Sequence, residues 1–141
     1  MLSPNTPGQA LRVLVVDGNT DAADSLVLLL DLWGHQALAA YDAGEAVELA
    51  RHYRPDVVLT ELLLPRGDGF SLAQALGRQA VLVAVTVVSP VRYREQAVGA
   101  GFCHYLQKPA DLEELRTILT RMSCPPAAAA DLVGAGTGSY L

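Results

Sequence analysis

Four residues of the 141-residue chain combine useful chemistry with a suggestive place in the sequence. Asp17 follows the apolar run Leu11 to Val16, and Glu61 follows Asp56 to Thr60. Thr86 follows Val81 to Val85, and Lys108 comes just after Phe102 to Leu106. Brought together, two carboxylates, a hydroxyl and an ammonium would suit a hard cation and a phosphoryl group. Carboxylates hold Mg²⁺, while Lys and Thr neutralise and bond phosphate oxygens. The same residues would also make a plain structural set, with a buried Glu61–Lys108 ion pair and with Asp17 and Thr86 capping loops. Spacing alone leaves both readings open.

The elements that would position them read clearly. The first three runs are short, apolar and rich in β-branched residues, as strands buried on both faces are, and Phe102 to Leu106 reads as a further strand. Between them lie helical stretches. Leu26, Leu29, Leu30 and Trp33 recur at helical spacing from about Thr20 to Trp33, and Gly34 stops that helix. A weaker strand is expected over His35 to Ala40. Asp42-Ala43-Gly44-Glu45 then opens a second helix as a capping box, with Ala46, Leu49, Ala50 and Tyr53 as its apolar stripe. A short helix is predicted over about Phe70 to Leu76. A fourth starts at Ser89-Pro90, with a poor apolar stripe that should leave it the least firmly held. A fifth, about Ala110 to Met122, would pack through Leu112, Leu115, Leu119 and Met122.

Strand and helix thus alternate five times, which predicts an α/β fold of (βα)5 type: a doubly wound five-stranded parallel sheet with helices on both faces. The strand order 2-1-3-4-5 is one of two common choices, and its ligand crevice lies at the carboxyl ends of the strands, where the order reverses.

The bulk numbers agree. Half of the chain is hydrophobic, 18% is charged and 6% is aromatic, as in a globular α/β domain. Fifteen acidic and ten basic residues leave a formal charge of −5, which argues against nucleic acid as a partner. The longest uncharged apolar run, Ala80 to Val88, is too short to span a bilayer, and MLSPNTPGQ lacks the features of a signal peptide, so no membrane partner and a cytoplasmic location are expected. Cys103 and Cys124 form neither a disulfide framework nor a metal-ligand spacing and read as free thiols in a reducing compartment. Residues 1–9 read as a flexible leader, 10–122 as one domain, and 123–141 as a Pro/Ala/Gly-rich tail or linker.

Taken in order, VLVVDGN, PDVVLTELLLPRGDG, the strand-end Thr86 and AGFCHYLQKP resemble the receiver domains of two-component response regulators, over roughly residues 10 to 122. The resemblance implies the flavodoxin-like receiver fold with strand order 2-1-3-4-5, and a signalling module rather than an enzyme. Residue by residue, Glu61 matches the phosphoacceptor position and Lys108 the family's lysine. Thr86 matches the hydroxyl that follows the phosphoryl group, Tyr105 the switch aromatic, and Asp17 the first of the acidic pair. Pro65 and Gly69 match the turn after the acceptor, and Lys108-Pro109 the peptide that is often cis.

Two positions depart from the family pattern. Gly18 stands where a second acid ligates Mg²⁺, and Glu61 stands where the family has Asp. A cation would be left with Asp17, Glu61 and a backbone carbonyl near Leu63. Mg²⁺ demands near-ideal octahedral geometry, so its binding is expected to be weak or absent. Glu61 would carry its oxygen one bond further out, and misplacement by about 1 Å can cost roughly a hundredfold in transfer. The expectation is a degenerate, pseudo-receiver variant acting by protein–protein contact, with phosphorylation impaired. Glu61 itself would reach toward Lys108 and Thr86. Its partner would be a sensor histidine kinase or other signalling protein in trans. A homodimer through the fourth helix, fifth strand and fifth helix is also envisaged. The alternatives are a working phosphoacceptor at Glu61 and a flavodoxin-like binding module without a signalling role.

Other signals carry less. Arg66-Gly67-Asp68 spells an adhesion tripeptide, but turn geometry accounts for its Gly and Asp. The glycines of the tail have no strand before them or helix after them. His52 and His104 lack metal-compatible neighbours at turn or helix spacing. Alternation along a strand sets Cys103 and His104 on opposite faces and turns Thr60 away from the crevice.

Overall fold

The computed structural model describes residues 9–122. The expected leader, save Gln9, and the expected tail lie outside the described residues. The elements run β1 (Arg12–Val16), α1 (Thr20–Leu32), β2 (Gln36–Ala40), α2 (Ala43–Tyr53), β3 (Val57–Thr60), α3 (Gly69–Leu76), β4 (Val81–Thr86), α4 (Pro90–Ala100), β5 (Phe102–Gln107) and α5 (Leu112–Arg121). All strand pairs are parallel and the sheet order is β2-β1-β3-β4-β5, as expected.

The strands alternate their side chains between two cores. Val13, Val15, Leu59, Val83 and Leu106 pack with Ala23 and Leu30 of α1 and with Leu115 and Leu119 of α5. Leu14, Val16, Val58, Leu82 and Ala84 pack with Ala46 of α2, Leu72 and Ala73 of α3, and Ala97 of α4. Burial on both faces is why these strands read as unbroken apolar runs. The Arg116 guanidinium over the Trp33 ring, 5.3 Å from its centroid, ties α5 to α1. Phe70 ties α3 to α4 and β5 through edge-on contacts with Tyr93 and Phe102, at 5.5 and 6.3 Å between centroids.

Several local expectations are refined. α5 begins later, at Leu112 behind the Asp111 cap, and Leu112 is 51% exposed rather than a core residue. Asp42 caps α2 by accepting the Glu45 N–H, but Glu45 reaches back to the N–H of Tyr41 instead of Asp42. The full capping box falls at α3, between Asp68 and Ser71. Pairing of β5 with β4 skips Cys103, a bulge that places Phe102 and Tyr105 in the same core although they are three apart. Strict alternation therefore does not hold across Cys103 and His104. Cys103 is disulfide-bonded, so the expectation of a free thiol fails there, and with it one ground for a reducing compartment. Cys124 lies outside the described residues. Among those residues, no helix is long and apolar enough to cross a membrane.

Candidate functional site

The carboxyl ends of β1, β3, β4 and β5 converge as the strand order requires, and they bring Asp17, Glu61, Thr86 and Lys108 to one crevice. Asp17, Glu61 and Thr86 are all buried, at 8%, 5% and 0% exposure. Polar groups this deep must be partnered.

Glu61 is the centre of the network. Its Oε2 accepts the hydroxyl hydrogen of Thr86 in a short contact, and also the N–H of Leu62 at 2.7 Å and of Leu63 at 3.2 Å. Its Oε1 accepts the N–H of Val87 at 3.3 Å and lies 3.2 Å from Lys108 Nζ. Lys108 Nζ lies closer still to Asp17 Oδ2, at 2.5 Å, while Asp17 Oδ1 accepts the N–H of Asn19 at 2.9 Å. Burial works against the Lys108 ammonium, but the hydrogen bond and charge of Asp17, then those of Glu61, outweigh it and hold its pKa above the ordinary lysine value.

A second chain of bonds leads away from the crevice. The Thr86 hydroxyl accepts the Val88 N–H at 3.2 Å, and the Val88 carbonyl accepts the hydroxyl hydrogen of Tyr105 at 2.8 Å. Tyr105 is 1% exposed. Burial first, then the charges of Glu61 and Tyr93, raise its phenol above the usual tyrosine range. Glu61, Thr86, Val88 and Tyr105 are thus linked through the β4–α4 loop.

The turn after β3 is drawn tight against the site. Gly67 has a φ of +114°, in the left-handed region open to glycine. At Gly69 a Cβ would stand 2.7 Å from the Glu61 carbonyl oxygen and 2.9 Å from the Leu62 Cα. Leu63, 53% exposed, pairs with Asp68 in an isolated bridge. The Pro65 ring covers Gly18, where a Cβ would meet Pro65 Cδ at 2.6 Å and Cγ at 2.9 Å. Position 18 therefore lacks an acid and also has its side-chain space filled. Lys108–Pro109 is cis. Thr60 is buried, with its hydroxyl donating to the Glu61 carbonyl at 2.8 Å.

Asp17, Glu61, Thr86, Tyr105 and Lys108 thus lie on one network, and Leu63 joins it through its N–H, not through the carbonyl expected to face a cation. Sequence reasoning missed the preference of Lys108 for Asp17, the N–H donors of Leu62, Leu63 and Val87, and the Pro65–Gly18 contact. Backbone donors carry no residue-type signal. Only the glycines at 18 and 69 could have hinted at close approach. As arranged, the carboxylates do not fit a divalent cation. Each oxygen already accepts from an N–H, the Thr86 hydroxyl or the Lys108 ammonium, and among the described residues no group of three or more His, Cys, Asp or Glu is placed to hold a metal.

Comparison with known proteins gives a consistent result. The chain is 34% identical to Protein PilH of Pseudomonas aeruginosa over 110 residues, covering 74% of this chain and 90% of that protein. It is 34% identical to Response regulator MprA of a Mycobacterium species, covering 80% of this chain and 52% of that protein. It is 29% identical to the DNA-binding dual master transcriptional regulator RpaA of Synechocystis, covering 84% of this chain and 53% of that protein. The chain therefore spans nearly all of one relative and about half the length of the others. A two-component response regulator from Clostridium difficile superposes with a TM-score of 0.75 at 26% identity, over 81% of this chain and 95% of that one. Chemotaxis response regulator CheY4 of Vibrio cholerae, at 23% identity, shares the fold with a TM-score of 0.74, over 82% of this chain and all of that one. Residues 13–120 match the response regulator receiver domain, and the chain belongs to that family.

Proposed function

We propose that this receiver domain is a pseudo-receiver: it serves two-component signalling through protein–protein contact, with its phosphotransfer chemistry impaired. One observation carries the reading. The groups that would receive a phosphoryl group by resemblance, Thr86 and Lys108, are already bonded to the carboxylate of Glu61, together with three backbone N–H groups.

For Glu61 to accept a phosphoryl group, one of these oxygens would have to leave its donors and present a lone pair in line with the donor phosphate. Each lost bond to a charged group costs about 1.5–3 kcal/mol. The carboxylate stands in for the phosphoryl group instead, with one negative charge against about 1.5 to 2. It accepts the Thr86 hydroxyl hydrogen, and through Val88 the network reaches the buried Tyr105 hydroxyl. The domain is held in this engaged arrangement by packing rather than by phosphorylation. A sensor histidine kinase or another signalling protein would read the surface of α4, β5 and α5 in trans, or a second copy would pair through it.

Intact mass after incubation with acetyl phosphate, with and without Mg²⁺, tests the reading on wild type, Glu61→Ala and Gly18→Asp/Glu61→Asp. Wild type should gain no mass. Gain of one phosphoryl group, lost in Glu61→Ala, would make Glu61 a working phosphoacceptor and overturn the proposal.

A further inference from the structure

We infer that Lys108 is the resident cation of the crevice: its ammonium occupies the place of a divalent ion between Asp17 and Glu61 and excludes one. The inference rests on the pseudo-receiver reading and adds to it what balances the charge of the site.

Asp17 and Glu61 come from neighbouring strands, β1 and β3, and both are nearly out of solvent. Two carboxylates so placed repel unless a positive charge lies between them. Lys108 Nζ supplies it, 2.5 Å from Asp17 Oδ2 and 3.2 Å from Glu61 Oε1. Hydrogen-bond donors meet the other oxygens of both groups as well. Asp17 Oδ1 takes the Asn19 N–H, Glu61 Oε1 takes the Val87 N–H, and Glu61 Oε2 takes Leu62, Leu63 and Thr86.

An entering Mg²⁺ needs oxygen ligands at about 2.0–2.1 Å in octahedral order. To take Asp17 Oδ2 and Glu61 Oε1 among them it would have to expel the ammonium that lies on both. The third ligand position offers no help, because Gly18 has no side chain and the Pro65 ring stands over it. One cation or the other fits, and the tethered one is always present. The metal site is therefore latent: the two carboxylates remain, and the lysine is what keeps metal out.

Removing the ammonium should uncover the site. Manganese is the probe, titrated into the full chain and followed by calorimetry and by thermal unfolding at matched ionic strength. Wild type should show no binding heat and no rise in Tm at about 10 mM Mn²⁺, a concentration at which a millimolar site would stabilise measurably. Lys108→Met should unfold at lower temperature without metal, regain several degrees with Mn²⁺, and lose that gain in EDTA. The gain should be absent from Asp17→Asn/Lys108→Met.

Manganese binding by wild type that Asp17→Asn abolishes would overturn the inference, as would a folded Lys108→Met that ignores manganese. If Lys108→Met does not fold with or without metal, the wild-type titration decides alone. Metal binding by wild type without mass gain from acetyl phosphate overturns only this inference. Mass gain that persists in EDTA overturns only the pseudo-receiver reading.

Discussion

Replacing Glu61 by Gln isolates the role of its charge, because the side chain keeps its length and shape. An amide has one acceptor oxygen and one NH₂ group, whereas the site presents donors to both positions. With its oxygen toward Leu62, Leu63 and Thr86, the NH₂ of the variant faces the Lys108 ammonium and the Val87 N–H. Turned over, it faces the other three donors, which is worse. The better orientation loses one bond to a charged group, at about 1.5–3 kcal/mol, and leaves one N–H without its partner, at about 1–3 kcal/mol. Lys108 keeps Asp17, which limits the damage. The expected loss is then about 3 kcal/mol, or about 10 °C or more in Tm for a domain of this size. Urea unfolding followed by circular dichroism and by Trp33 fluorescence measures it. The sign is the informative part. An acid held against other acids for catalysis repels them, and neutralising it stabilises the fold. A Glu61→Gln variant within about 0.5 kcal/mol of wild type, or more stable, would refute the view that Glu61 anchors the crevice.

Three further outcomes are expected. Gly18→Asp should destabilise by about 1–3 kcal/mol, because its Cβ would lie 2.6 Å from Pro65 Cδ, and Pro65→Ala should recover part of the loss in a double-mutant cycle. Tyr105→Phe removes the hydrogen bond to the Val88 carbonyl and should cost about 1 kcal/mol, with faster amide exchange at Val87 and Val88 as the local readout. His35 should make stability acid-sensitive: its Nδ1 accepts the Leu11 N–H at 3.0 Å, and burial, then the charge of Arg116, lower its pKa from the ordinary 6.5. The unfolded chain therefore takes up the proton first. The His35 contribution is complete above about pH 6.5 and is lost as pH falls through the folded pKa, and His35→Asn should flatten that part of the Tm–pH profile.

Element order, sheet class and the polar residues that meet at the crevice were legible in the sequence because each rests on local chemistry. Runs such as Val57-Val58-Leu59 announce burial on both faces, and Ser89-Pro90 announces a helix start. The polar residue that ends each run could be placed at a crevice by topology alone. The departures at Gly18 and Glu61 were equally visible, since each is a change of residue type at a fixed place in a pattern.

Tertiary structure decided how those residues use one another. Whether Lys108 chooses Glu61 or Asp17 depends on distances of a few tenths of an ångström between strands that are far apart in sequence. The donors that fix Glu61 are mostly backbone N–H groups, which every residue but proline carries. The Cys103 bulge, which turns Tyr105 into the core beside α4, breaks the period-two pattern without leaving a residue-type mark. Local propensity and periodicity set which elements form and which side chains reach the crevice. The partners of each charge were settled only when the strands packed, because a buried charge is paired by whatever lies within hydrogen-bond reach.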